Sequence, residues 1–161
     1  MKKQKKLDKK RRRENKTNYI RRRTLLKGDF LRLVVRKTNK YIILQITESI
    51  GAKDKVKYSL NTKELLKQGW PKEKKGSLKS LASAYLAGLL LGKKMQDIKS
   101  KVILDLGLIP NTKGSRVYAV VKGVADSGIN IQYNEEVVPT EEQIKKSIGS
   151  EIFEKIKEKL K

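Results

Sequence analysis

Cysteine and histidine are both absent from the 161 residues. Their absence removes disulfides, thiolate and imidazole metal sites, cysteine nucleophiles and any triad that needs an imidazole base. Acids are scarce beside bases, with 17 Asp and Glu against 40 Lys and Arg and a net charge of +23. Long apolar runs are missing too. The longest, Ser80 to Gly92, has 13 residues, well short of the ~20 that cross a bilayer as a helix. No apolar h-region follows the charged start, so no signal peptide is expected. These absences predict a soluble, intracellular chain with no cofactor and no small-molecule substrate.

What is present is positive charge, concentrated at the start. Residues 1 to 27 hold 14 Lys and Arg against Asp8 and Glu14 alone. A segment of this composition cannot bury enough apolar surface to offset the entropy of ordering, so it is expected to be disordered when free and to order on a polyanion. Nucleic acid suits it best, because each phosphate neutralised releases a condensed counterion. Arg11, Arg12 and Arg13 form one triplet and Arg21, Arg22 and Arg23 another. Guanidinium groups bind phosphate bidentately and stack on bases, which ammonium groups do not. Tyr19 lies between the triplets as a stacking surface. A solubilising tail or localisation signal explains the arm less well, since residues 28 to 161 still carry 26 basic against 15 acidic residues.

The remainder is long enough for one domain with a real core. Leu31, Leu33 and Val35 alternate, as do Ile42, Leu44 and Ile46, so two strands are predicted with Lys37-Thr38-Asn39-Lys40 closing a hairpin between them. A third strand over about 53 to 60 completes an antiparallel meander. Asn61 and Glu64 have capping-box spacing for a short helix to about Gln68, ended by Gly69 and Pro71. Lys72 to Gly76 reads as an exposed loop, and Ser77 as the cap of a largely buried helix to about Gln96. Val102-Ile103-Leu104 is a continuous apolar run, predicting a strand covered on both faces and, after the helical crossover, parallel to one in the meander. Val117, Val120, Val121, Val124 and Ala125 mark a further helix with Gly128 at its C-terminus. Residues 129 to 139 look irregular. Thr140 and Gln143 cap a helix to about Ile148, and a last helix buries Ile152, Phe153, Ile156 and Leu160. The expected organisation is an arm over 1 to 27, an α/β domain over 28 to 139 and C-terminal helices over 140 to 161.

Three motifs bear on chemistry. Lys113-Gly114-Ser115-Arg116 opens the 117 to 125 helix, where free amides, a hydroxyl and two cations favour an anion, although an ordinary serine cap fits equally well. Gly88 to Lys94 has three residues rather than four between its glycines and no hydroxyl after the lysine, so it is not an NTPase phosphate loop. Its glycines are expected to allow close packing or end the helix. Asp105 ends the central strand, where α/β enzymes often keep catalytic groups, yet no second acid stands with it to hold two metal ions.

Four blocks, RRRENKTNYIRRRTLLK at 11 to 27, RLVVRKTNKYIILQI at 32 to 46, AYLAGLLLGKKM at 84 to 95 and ILDLGLIPNTKGSRVYAVVKGVADSGI at 103 to 129, together resemble the large-subunit ribosomal protein 18 family in its archaeal form. Proteins of that family attach 5S rRNA to the ribosome. The resemblance implies a compact α/β domain with a mixed sheet of ribonuclease-H-like topology, no enzymatic activity and a cytoplasmic location in the large subunit. It implies contacts to 5S rRNA through the arm and first hairpin, and to large-subunit rRNA and neighbours including large-subunit ribosomal protein 5. The residues it carries over are Arg11, Arg12, Arg13, Lys16, Tyr19, Arg21, Arg22 and Arg23 of the arm, and Arg36, Lys37, Asn39 and Lys40 of the hairpin. Lys113, Ser115 and Arg116 complete the set.

The resulting expectation is a structural rRNA-binding protein that helps join 5S rRNA to the large-subunit rRNA in the central protuberance. The rival readings are a generic basic nucleic-acid or membrane-surface binder, which would ignore RNA fold, and a metal-dependent nuclease dependent on Asp105.

Overall fold

The computed structural model describes residues 7–51, 53–98 and 100–160. Four strands, β1 (Leu31–Lys37), β2 (Ile42–Ile50), β3 (Lys53–Asn61) and β4 (Val102–Asp105), form one sheet in the order β3-β2-β1-β4. The first three are antiparallel neighbours and β4 runs parallel to β1, pairing Leu31 with Val102 and Leu33 with Leu104. This is the predicted meander and parallel strand. Ile131 adds a parallel bridge beyond β4, opposite Val102. Ile103 and Leu104 are half-buried, so β4 is covered less fully than its unbroken apolar run suggested.

Period-two alternation gives the sheet two faces. Leu33, Val35, Ile42, Leu44, Ile46 and Leu60 turn toward the helices α3 (Leu81–Lys94), α4 (Arg116–Asp126), α5 (Glu141–Lys146) and α6 (Ser150–Leu160), and join their apolar side chains in one core. Phe153 of α6 packs its ring 5.6 Å from that of Tyr85 in α3. The C-terminal helices thus share the core of the sheet. On the other face lie Arg32 and Val34, with α2 (Tyr19–Leu26) of the arm tied to that side through Arg22 and Asp54.

The crossing of α3 and α4 depends on glycine. A Cβ on Gly88 would lie 2.4 Å from the Val120 carbonyl oxygen, and one on Gly123 would lie 2.2 Å from that of Tyr85. Close packing, rather than phosphate binding, is what Gly88 provides.

Two boundaries differ from expectation. Residues Lys72–Ser77 are exposed 3₁₀ turns rather than an open loop, and α3 is capped by Ser80, whose hydroxyl accepts from the Ser83 amide at 3.3 Å. The Ser77 hydroxyl instead donates back to the Lys74 carbonyl at 2.6 Å. Leu78 is fully buried from the preceding turn, which is why its apolar character read as part of the helix. The Asn61–Glu64 and Thr140–Gln143 capping boxes are both formed, the first on a 3₁₀ helix, Thr62–Gln68.

Candidate nucleic-acid interface

The end of β1 sends adjacent cations to opposite faces of the sheet. Arg36 turns to the arm side, where its Nη1 donates to the Val35 carbonyl at 2.9 Å and the Asp105 carbonyl at 3.0 Å. Gly107 leaves room for it: a Cβ there would sit 3.0 Å from the Arg36 guanidinium. Arg21 of α2 donates to the Gly107 carbonyl at 3.2 Å. Between arm and sheet end lies a cleft of about 180 Å³ whose walls include Arg11, Lys16, Arg21, Arg22 and Arg36. Five of the sequence-predicted cations therefore converge at one place.

Within the arm, a short helix α1 (Lys10–Arg13) carries the first triplet and α2 the second. Asn18 caps α2 by accepting from the Arg21 amide at 3.2 Å. Neither helix buries a residue. Arg12, Arg13 and Arg23 are exposed and have no acidic partner among the described residues. Lys16 pairs with Glu14 at 2.9 Å and Arg22 with Asp54 at 2.7 Å. Arg11 donates to the Thr17 hydroxyl at 3.0 Å. Tyr19 is half-buried, with the Lys9 ammonium 4.9 Å from its ring centre, so a cation shares the ring that the sequence offered as a stacking face. Lys9 was not singled out in the sequence. Only a folded arm brings residues ten apart together.

The hairpin tip exposes Lys37, Asn39 and Lys40, and Thr38 closes it by donating from both its amide and its hydroxyl to the Tyr41 carbonyl, at 2.8 and 2.7 Å. Lys37 also faces a second concavity, a groove of about 520 Å³ that it shares with Ser115 and Arg116. Those two begin α4 as predicted, but the Ser115 hydroxyl makes no cap hydrogen bond. Lys113 is exposed on the adjoining loop and does not line the groove. The predicted set is therefore divided: some of its members line the arm cleft, Lys37, Ser115 and Arg116 line the groove, Tyr19 and Arg23 line a further concavity on α2, and others, Lys113 among them, are simply exposed.

Under the arm lies an ion network that the sequence concealed. Arg32 is 2% exposed, reaching Asp105 at 3.0 Å, Asp54 at 2.8 Å and the Ser49 hydroxyl at 2.9 Å. Its Nε is a buried polar atom with no hydrogen-bond partner. Burial alone would push the Asp54 carboxyl up, but hydrogen bonds from Ser49, Arg22 and Arg32 outweigh it and hold its pKa at about 2. Asp105, the one acid placed where a catalytic group would stand, accepts from Arg32 and from the Gly107 amide at 2.8 Å. Both its oxygens are thus committed to the fold. No cluster of three or more potential metal ligands exists among the described residues. The one signal for Arg32 was its place within a strongly apolar strand, on the face opposite Leu31 and Leu33, but its counter-ions arrive from β3 and β4, beyond the reach of local pattern.

Comparison with known proteins gives a consistent answer. The family described as "Ribosomal large subunit proteins 60S L5, and 50S L18" matches residues 3–100 and 96–134. The "Large ribosomal subunit protein uL18" of Korarchaeum cryptofilum is 42% identical over 149 residues, 92% of this chain and 74% of that protein. The protein of the same name from Methanoregula boonei is 40% identical over 136 residues, 84% of this chain and 76% of that protein.

Proposed function

The chain belongs to the L18 family of large-subunit ribosomal proteins, and from that premise we propose how it works. It is a structural, non-enzymatic constituent of the large subunit of the cytoplasmic ribosome, with 5S rRNA binding as its role. The observation that carries the mechanism is the convergence of Arg11, Lys16, Arg21, Arg22 and Arg36 on one cleft, beside guanidinium groups that no acid neutralises.

In this reading the domain is the rigid part and the arm is the clamp. Helices as short as α1 and α2 are marginal alone in water, and neither buries a residue, so the few ties that hold the arm to the sheet, through Arg21 and Arg22, are reinforced by its polyanion. Free guanidinium groups of Arg12, Arg13 and Arg23 take phosphates, while Arg36, Lys37, Asn39 and Lys40 extend the interface along the hairpin. A-form RNA hides its major groove, so these groups meet phosphates, 2′-hydroxyls and unpaired bases, and recognition follows RNA shape. Lys113, Ser115 and Arg116 reach the large-subunit rRNA, and surfaces away from RNA meet neighbouring proteins, large-subunit ribosomal protein 5 among them.

Charge-removal variants test the clamp. Arg12→Gln, Arg13→Gln and Arg23→Gln together are expected to lower the slope of log affinity for 5S rRNA against log salt by roughly 0.7 to 0.9 for each phosphate that these side chains neutralise. A triple variant with the native slope excludes these residues from the interface.

A further inference from the structure

The groove beside Lys37 has a different character from the arm cleft. Leu81, Ile109, Pro110 and Val117 form much of its wall, no carboxylate lines it, and Lys37 and Arg116 stand at its margin. Neither cation has an acidic partner among the described residues. Two hydroxyls in the lining, those of Thr112 and Ser115, make no hydrogen bond with described residues, whereas those of Ser80 and Ser147 are engaged within the protein. The loop that forms one side is anchored at both ends. Asn111 accepts from the Tyr118 hydroxyl, and the Gly114 amide donates to the Val137 carbonyl at 2.8 Å. The cavity is thus formed before anything enters it.

We propose that this groove receives one unstacked nucleotide of single-stranded rRNA. Its base enters between the aliphatic walls, its phosphate meets Lys37 and Arg116, and the Thr112 and Ser115 hydroxyls pair with the base edge. The volume of about 520 Å³ falls within the ~300 to 1,000 Å³ typical of small-ligand sites. Charge selects the occupant: two unneutralised cations over an apolar interior match a base with its phosphate, and RNA is read most specifically through bases splayed out of the stack. Binding of phosphate alone would leave the apolar interior unused. The inference rests on the rRNA-binding reading and adds to it a base-binding site separate from the arm.

The test uses the full chain with 13C-labelled methyl groups, titrated with single-stranded tetraribonucleotides and with the same backbone lacking its bases. Base-containing oligonucleotides are expected to shift the methyls of Leu81, Ile109 and Val117 and to bind roughly fivefold more tightly than the abasic one, the lower end of what a base gains on an aromatic ring, because these walls are aliphatic. Thr112→Trp, at an exposed position, fills the groove from its rim and is expected to abolish that preference while leaving the methyl spectrum of the core in place. Equal binding of both backbones without methyl shifts overturns the proposal, as does an acidic peptide that shifts the same methyls when the oligonucleotides do not. Binding of intact 5S rRNA, measured in parallel with the chain lacking residues 1 to 27, reports on the wider reading separately. If the groove ignores bases while arm-dependent 5S binding persists, the groove inference alone fails.

Discussion

Substituting Gly123 by alanine places a methyl group where two backbones already touch. The new Cβ would lie 2.2 Å from the Tyr85 carbonyl oxygen and 2.9 Å from the Leu89 nitrogen. Carbon and oxygen need about 1 Å more than the first of these distances, and neither obstacle is a side chain that can rotate away. The α3–α4 crossing must therefore open. Overpacking of this kind costs about 1 to 3 kcal/mol, and a rigid backbone obstacle argues for the upper end. Alanine returns up to about 1 kcal/mol through helix propensity, leaving a net loss of about 2 kcal/mol. For a chain of this size that corresponds to a melting point lower by roughly 4 to 8 °C. Gly76→Ala is the control, since nothing lies within 4 Å of its added Cβ. Gly92→Ala is predicted to fall between them, because its worst clashes are with the Ser127 side chain. Urea and thermal unfolding followed by circular dichroism decide the order. A Gly123→Ala chain as stable as the native one would refute the claim that this glycine sets the helix separation.

The ion network gives further predictions. Arg32→Met removes the buried cation, yet Asp54 keeps Arg22 and Ser49, and Asp105 keeps the Gly107 amide. The loss should therefore be about 2 kcal/mol, below the roughly 3 to 5 kcal/mol typical of breaking a buried pair, while Arg22→Met at the surface costs less than about 1 kcal/mol. Asp54 titrates at about 2 against an ordinary 3.8, so its contribution to stability is present above the ordinary value and is lost as pH falls from about 4 toward 2. Denaturant midpoints across that window should fall more steeply for the native chain than for Asp54→Asn, and parallel curves would show that the network does not respond to this proton.

Features with local causes were the most legible in the sequence. Alternation over 31 to 46 gave the hairpin, two capping boxes gave helix starts, and the 3.6-residue spacing from Val117 to Ala125 gave α4. Ser77 misled because Ser80 has the same chemistry three residues on, and only the buried seat of Leu78 decides between them. The candidate cations were readable by composition, but their gathering was not: Arg11 meets Arg36 only because α2 hangs from Gly107 and Asp54. Arg32 looked like one more basic residue in a basic chain. Its burial depends on two acids that the sheet brings from 22 and 73 residues away.

Competition binding tests the central claim most directly. The full chain, held on labelled and refolded 5S rRNA at several salt concentrations, is challenged with unlabelled 5S rRNA, a structured control RNA of equal length and duplex DNA. The account predicts that 5S rRNA displaces best at every salt concentration, and that deleting residues 1 to 27 flattens the salt dependence. Equal displacement by all three would contradict it, leaving a basic protein that binds nucleic acid by charge alone.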